Sequence, residues 1–172
     1  MCKREQIATR HWCQAGSDTH EDEPACSPRA WFASRPGRLA NNMIVLVVDD
    51  YRDSQELLEL TFRFAGFVVL VADNGENAVR AAKQHRPDAV VMDLHMPVMD
   101  GFEATRQFKA DAALRFIPVV AYSAAVAAHW PDLFSAICQK PCSLDHLVDV
   151  VNEVIAKAAS GTMPLQGTTP RP

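Results

Sequence analysis

The chain has 172 residues, of which 48% are hydrophobic and 22% charged, with a formal net charge of −4. This balance excludes wholesale disorder, leaves room for one domain with a sizeable core plus tails, and gives no electrostatic reason to expect direct nucleic-acid binding. No apolar run approaches the roughly 18 residues of a membrane span and no signal-peptide core opens the chain, so a cytoplasmic protein without membrane insertion is expected.

Residues 1–42 carry charges of both signs and no sustained apolar period, the composition of a disordered extension. Cys2, Cys13, Cys26, His11 and His20 are soft metal ligands, but the cysteines lack the close spacing of a zinc site. Free thiols on an unstructured tail are the expectation.

From Met43 the punctuation becomes regular. Ile44 to Val48 is a short, β-branched aliphatic run and reads as a buried strand. Asp53 with Glu56 marks a helix start; Leu57, Leu60, Thr61 and Phe64 follow at helical spacing, and Gly66 ends the helix. Phe67 to Val71 is the second strand. Asn74-Gly75 turns into a helix with Ala78, Ala81, Ala82 and His85 on one face, ended by Pro87. Ala89 to Met92 is the third strand, and Pro97 forbids its continuation because it has no N–H for a ladder. Asp100-Gly101 opens the next helix, marked by Phe102, Thr105 and Phe108, with Asp100 as N-cap.

Ile117 to Ala121 is the fourth strand and Ala136 to Gln139 the fifth, with a short fourth helix over Ala124 to Ala128 before His129-Trp130-Pro131. Ser143 caps a last helix with Leu144, Leu147, Val148, Val151, Val154, Ile155 and Ala158 in 3.6-residue register. Residues 161–172 form a short flexible tail. Alternating strands and helices imply a doubly wound α/β fold: a five-stranded parallel sheet with helices on both faces.

The chemistry collects at strand ends, where open α/β sheets place their ligands. Asp49 and Asp50 follow the first strand and Asp93 follows the third, its neighbour in a parallel sheet. The expectation is that these three carboxylates converge and repel, and so need a cation. Hard oxygen ligands with room for water suit Mg²⁺. Ser123 follows the fourth strand, and Lys140, ahead of Pro141, follows the fifth, where it would pair with the acids.

The stretch from Asp93 to Gly101, D-x-x-M-P-x-M-D-G, resembles the phosphorylation motif of bacterial response-regulator receiver domains. Asp49, Asp50, Ser123 and Lys140 stand in family order, and the resemblance covers residues 43–160. It implies the flavodoxin-like sheet order 2-1-3-4-5. It also implies that Asp93 accepts a phosphoryl group from a phosphohistidine on a sensor histidine kinase or histidine phosphotransfer protein. Asp50, Asp93 and the backbone carbonyl of His95 would hold Mg²⁺, with Asp49 acting mainly through water. Ser123 and Lys140 would bind phosphoryl oxygens, and the Lys140–Pro141 bond would be cis.

The residues flanking the attacking water in this family, two after the acceptor and two after the Ser, would be His95 and Ala125. Ala125 cannot hydrogen-bond, so slow self-dephosphorylation is expected. Such a protein catalyses only its own modification and signals by binding a downstream protein or by phosphorelay. With 12 residues after Ser160, the domain is expected to act alone.

Two features depart from the pattern. Ser123 to Lys140 spans 17 positions, fewer than is typical, and Ile137 occupies the place of the switch aromatic, for which Phe134 and Tyr122 are possible substitutes. A receiver-fold interaction module that works without phosphorylation is therefore the alternative reading. A metal-dependent phosphatase shares the carboxylates but lacks a visible substrate-binding insert.

Overall fold

Aliphatic runs too short to make helices become strands here, and the amphipathic segments between them become the helices that cover the sheet. The computed structural model describes residues 43–124 and 133–160. In chain order the elements are β1 (Ile44–Val48), α1 (Arg52–Phe64), β2 (Val68–Ala72), α2 (Gly75–His85), β3 (Ala89–Met92), α3 (Gly101–Ala110), β4 (Val119–Ser123), β5 (Ala136–Gln139) and α4 (Leu144–Ser160). The five strands pair in parallel in the order β2-β1-β3-β4-β5, as expected. The expected disordered extension over residues 1–42, residues 125–128 of the expected short helix (Ala125 among them) and the expected flexible tail over residues 161–172 lie outside the described residues.

The sheet separates two apolar clusters. Leu46, Val48, Val90 and Met92 pack with Ala78 and Ala82 of α2 and with Ala104 and Phe108 of α3. Val45, Val47 and Val91 face the other way, onto Leu58 and Phe62 of α1 and Leu147, Val151 and Ile155 of α4. This is the period-2 alternation of a strand covered on both faces. The central strands β1, β3 and β4 are buried almost throughout, whereas the edge strand β2 buries Val69 and Ala72 and leaves Val68 and Val71 exposed.

Several local expectations need correction. Helix α1 starts at Arg52 with Tyr51 as a cap residue that offers no side-chain bond, and Asp53 falls in the first turn. The core takes Leu58 and Phe62, while Leu57, Leu60 and Phe64 are 52%, 60% and 89% exposed. Both stripes of this helix are apolar, and the sheet selects the one that faces it. In α2 the buried face is Gly75, Ala78, Val79 and Ala82, leaving His85 exposed. Strands β2 and β4 begin one and two residues later than expected. For β4 the reason is Pro118, which accepts from Val90 N–H through its carbonyl but has no N–H to donate.

The β3–α3 loop is held by its own backbone. Met99 N–H donates to the Pro97 carbonyl at 2.9 Å, closing a γ-turn around Val98, whose φ of 71° is unusual for a β-branched residue. Asp100 caps α3 by accepting from Glu103 N–H at 2.8 Å. Gly101 meets the strand end so closely that a Cβ there would stand 2.1 Å from the Asp93 carbonyl oxygen and 2.9 Å from Leu94 Cα. Both neighbours are backbone and cannot swing aside. Gly101→Ala should therefore destabilise the fold by roughly 3 kcal/mol through forced backbone displacement. Chemical denaturation, read as a lower midpoint at unchanged slope, is the check.

Candidate functional site

The ladder bonds carry the site residues past the last paired strand positions. Asp49 N–H donates to the Ala72 carbonyl at 3.2 Å, Asp93 N–H to the Val48 carbonyl at 2.8 Å, and Lys140 N–H to the Ser123 carbonyl at 3.0 Å. Three strand ends are thereby locked to their neighbours, and the side chains that follow emerge at one edge of the sheet.

Lys140 draws them together. Its Nζ donates to Asp93 Oδ2 at 2.7 Å and to Asp49 Oδ2 at 2.9 Å. It also lies 4.7 Å from the centroid of the Tyr122 ring on β4, within range of a cation–π contact. The Lys140–Pro141 bond is cis, as the resemblance implied. Asp49 is 2% exposed and fully engaged: Oδ1 accepts from Tyr51 N–H at 2.9 Å, and Oδ2 accepts from the Ser54 hydroxyl at 2.7 Å as well as from Lys140. Gln55 Nε2 braces the same turn by donating to the Asp49 and Ala72 carbonyls.

Asp93 is half-buried; its Oδ1 accepts from His95 N–H at 3.1 Å. Burial pushes the Asp93 carboxyl up, but the bond and charge of Lys140 and the N–H groups of His95 and Leu94 outweigh this. The net pKa lies below the ordinary aspartate value. Burial likewise pushes the Lys140 ammonium down, and bonds to Asp93 and Asp49 outweigh it, leaving its pKa above the ordinary lysine value. Ser123 is buried, and its hydroxyl lies 3.4 Å from Nδ1 of His95. The His95 ring thus turns toward the Ser123 side of the site although the residue is exposed.

Two of the three acids converge, since Asp49 and Asp93 share the Lys140 ammonium, but the three do not form one close cluster. Asp49 points inward to Lys140, Ser54 and the Tyr51 amide, while its neighbour Asp50, in the bend after β1, is exposed. Among the described residues, the only group of three His, Cys, Asp or Glu side chains with ligating atoms within 4.8 Å of one another is Cys138, Cys142 and His146. The single charge of Lys140 offsets only part of the charge of Asp49 and Asp93. The donor chemistry still suits Mg²⁺. An exposed Asp50 carboxylate and a half-buried Asp93 carboxylate are hard oxygen donors open to water, and this ion characteristically keeps several waters.

Ser54 and Gln55 were not singled out from sequence. They carry a faint signal, polar residues in the first helical turn after an acidic pair. Of the possible substitutes for the switch aromatic, Phe134 is buried edge-on against Phe102 at 5.8 Å, while Tyr122 stands at the site. Ile137 is 40% exposed.

The chain belongs to the response regulator receiver domain family, whose model matches residues 45–152. It is similar to PilH of Pseudomonas aeruginosa, 42% identical over 76 residues that cover 44% of this chain and 63% of that protein. It is also similar to the polar-differentiation response regulator DivK of Brucella anthropi, 35% identical over 46% of this chain and 65% of that one. These alignments thus span less than two thirds of either relative. Among solved structures, the receiver domain of the sensor histidine kinase PA1611 from Pseudomonas aeruginosa aligns with a TM-score of 0.60 and 30% identity, covering 67% of this chain and 98% of that one. That structure has magnesium coordinated in its active-site cleft. Among the described residues, no helix is long and apolar enough to cross a membrane.

The shifted pair makes stability pH-dependent in metal-free buffer. The folded pKa of Asp93 lies below its unfolded value of about 4, so its contribution is complete above about pH 4 and is lost as pH falls through the folded value. The folded pKa of Lys140 lies above its unfolded value of about 10.4, so its contribution is complete below about pH 10 and is lost as pH rises through the folded value. The gap in melting temperature between wild type and Asp93→Asn should therefore narrow on acidification below about pH 4, as thermal unfolding across a pH series would show.

Proposed function

We propose that Asp93 is the acceptor of a phosphoryl group delivered by a phosphohistidine, and that the modified domain signals through a partner protein or passes the group on. The observation that carries this reading is the Asp93 carboxylate held 2.7 Å from Lys140 Nζ at the sheet edge, with the Ser123 hydroxyl at the same edge. A carboxylate kept ionised and aimed by a fixed cation is a competent nucleophile.

An Asp93 oxygen attacks phosphorus, the P–N bond of the phosphohistidine breaks, and the leaving imidazole keeps the electron pair and takes up a proton. Lys140 is placed to move from carboxylate to phosphoryl oxygen, where its charge offsets that of the transferred group, and Ser123 donates to a second oxygen. Mg²⁺ held by Asp50, Asp93 and the His95 carbonyl would supply the remaining charge neutralisation; Asp49, already engaged by Lys140, would act on the ion at one remove. The magnesium in the related receiver domain supports this assignment. The protein acts on its own carboxylate rather than turning over a free substrate, and its place is the cytoplasm.

The exposed stripe of Leu57, Leu60 and Phe64 fits docking of a partner helix that carries the phosphohistidine. The shallow groove between α1 and α4, lined by Leu60, Phe64, Leu144 and Val148, adds to that surface. Phe64→Asp should slow phosphotransfer from a histidine-phosphorylated partner at least tenfold while leaving acetyl phosphate labelling unchanged.

Incubation with acetyl phosphate and Mg²⁺, followed by intact mass, should give one phosphate adduct that Asp93→Ala or a chelator abolishes. No adduct with any donor would favour the phosphorylation-independent interaction module, for which exposed Ile137 at the switch position is the supporting observation. Once formed, the phosphate should decay slowly. His95→Ala should change that rate by a factor of about ten if the ring beside Ser123 orients the attacking water.

A further inference from the structure

Cys138 and Cys142 bracket Lys140, and no role described so far uses them. Cys138 sits on β5, 3% exposed, in register with Tyr122 of β4. Cys142 follows Pro141 and is half-buried. The two sulfurs are bonded to each other, with Cα atoms 6.3 Å apart, a separation ordinary for disulfides. The resulting small ring encloses only Gln139, Lys140 and Pro141. His146, on the first turns of α4, brings a ring nitrogen within 4.8 Å of both sulfurs.

We propose that Cys138 and Cys142 form a reversible dithiol–disulfide site that reacts with low-molecular-weight thiols and disulfides, and that its closed form holds Lys140 in place for phosphoryl transfer. The link to Lys140 rests on the reading of Asp93 as phosphoacceptor; the chemistry at sulfur does not.

The exchange balances. Cys142, the more accessible sulfur, attacks one sulfur of an external disulfide as its thiolate, and the first external thiol leaves. Cys138 then attacks Cys142 Sγ and the second external thiol leaves. The two cysteines lose two electrons, the external disulfide gains them, and both protons end on the released thiols. His146 is placed to take the Cys142 proton at the first step and release it to the departing thiol. In a reducing compartment the pair rests open, and an oxidising shift closes it.

The ring matters because the side-chain bonds of Lys140 hold its tip while little holds its backbone. Strand β5 is a four-residue edge strand, and the lysine backbone is tied to the sheet by one bond to the Ser123 carbonyl. Closing the ring cuts the backbone freedom of the residue that must reach Asp93 and Asp49. It also fixes β5 against Tyr122, whose ring lies beneath the ammonium.

The full-length reduced protein is incubated with oxidised glutathione, and peptide mapping separates Cys138 and Cys142 from Cys2, Cys13 and Cys26. The expected result is a Cys138–Cys142 bond that dithiothreitol opens, with Cys138→Ser instead retaining a glutathione adduct on Cys142. Acetyl phosphate should then label the closed form roughly threefold or more faster than the open form. Cys142→Ser should label at the open-form rate under either condition. No intramolecular bond, or stoichiometric zinc that protects Cys138, Cys142 and His146 from exchange, overturns the sulfur site. Equal labelling rates, or a faster open form, overturn the link to Lys140. Labelling of neither form overturns the reading of Asp93 and that link together, while the peptide map still decides the sulfur chemistry.

Discussion

The pair of charge-assisted hydrogen bonds from Lys140 to Asp93 and Asp49 is the interaction on which the site depends, because it joins residues 47 and 91 positions apart. In the sheet order, β5 lies two strands from β3 and three from β1. At the ordinary strand spacing those are gaps of roughly 10 and 14 Å, more than a lysine side chain spans from a flat edge. The aspartate side chains and the hydrogen bonds themselves make up further distance, and Tyr122 on β4 provides the surface beneath the ammonium. Without the lysine, a buried Asp49 would keep its bonds from Ser54 and the Tyr51 amide but lose its counter-charge. The cost of that burial is what makes the arrangement specific rather than merely attractive.

Much of this was legible in the sequence because punctuation and chemistry agreed. Pro87 and Pro97 bound β3 on both sides, and the predicted strand from Ala89 to Met92 is the observed one. The span of β5 was likewise read correctly from the position of Lys140. The helix α1 was harder. Its sequence offers Leu57, Leu60 and Phe64 as one apolar stripe and Leu58 and Phe62 as another, and periodicity cannot say which faces the sheet. The different surroundings of Asp49 and Asp50 were equally hidden. A pair of adjacent acids reads as one cluster in a list of letters, yet the first is buried and bonded to Lys140 while the second is exposed.

The sulfur pair escaped for a different reason. Cys138 and Cys142 stand in a C-x3-C spacing, which is short enough for a metal or sulfur pair but is not specific alone, and only the turn between β5 and α4 brings the two sulfurs and His146 together. Gly101 was legible as a turn residue, yet its tighter constraint, contact with the Asp93 carbonyl, comes from how α3 seats against β3. In both cases the information lies in tertiary approach, which local pattern does not encode.

The sheet's two unlike faces also have a consequence for how this chain can vary. Val45 and Val47 belong to the core shared with α1 and α4, whereas Leu46 and Val48 belong to the core shared with α2 and α3. Side chains on opposite sides of β1 share no partners, so changes in the two layers should combine almost independently. The layer with α1 and α4 carries the exposed apolar stripe, and the layer with α2 and α3 carries the tight seat of Gly101 beneath Asp93. A lineage can thus remodel the surface that chooses its companions while the other layer keeps the acceptor carboxylate in position. The fold keeps recognition and chemistry as separately heritable traits.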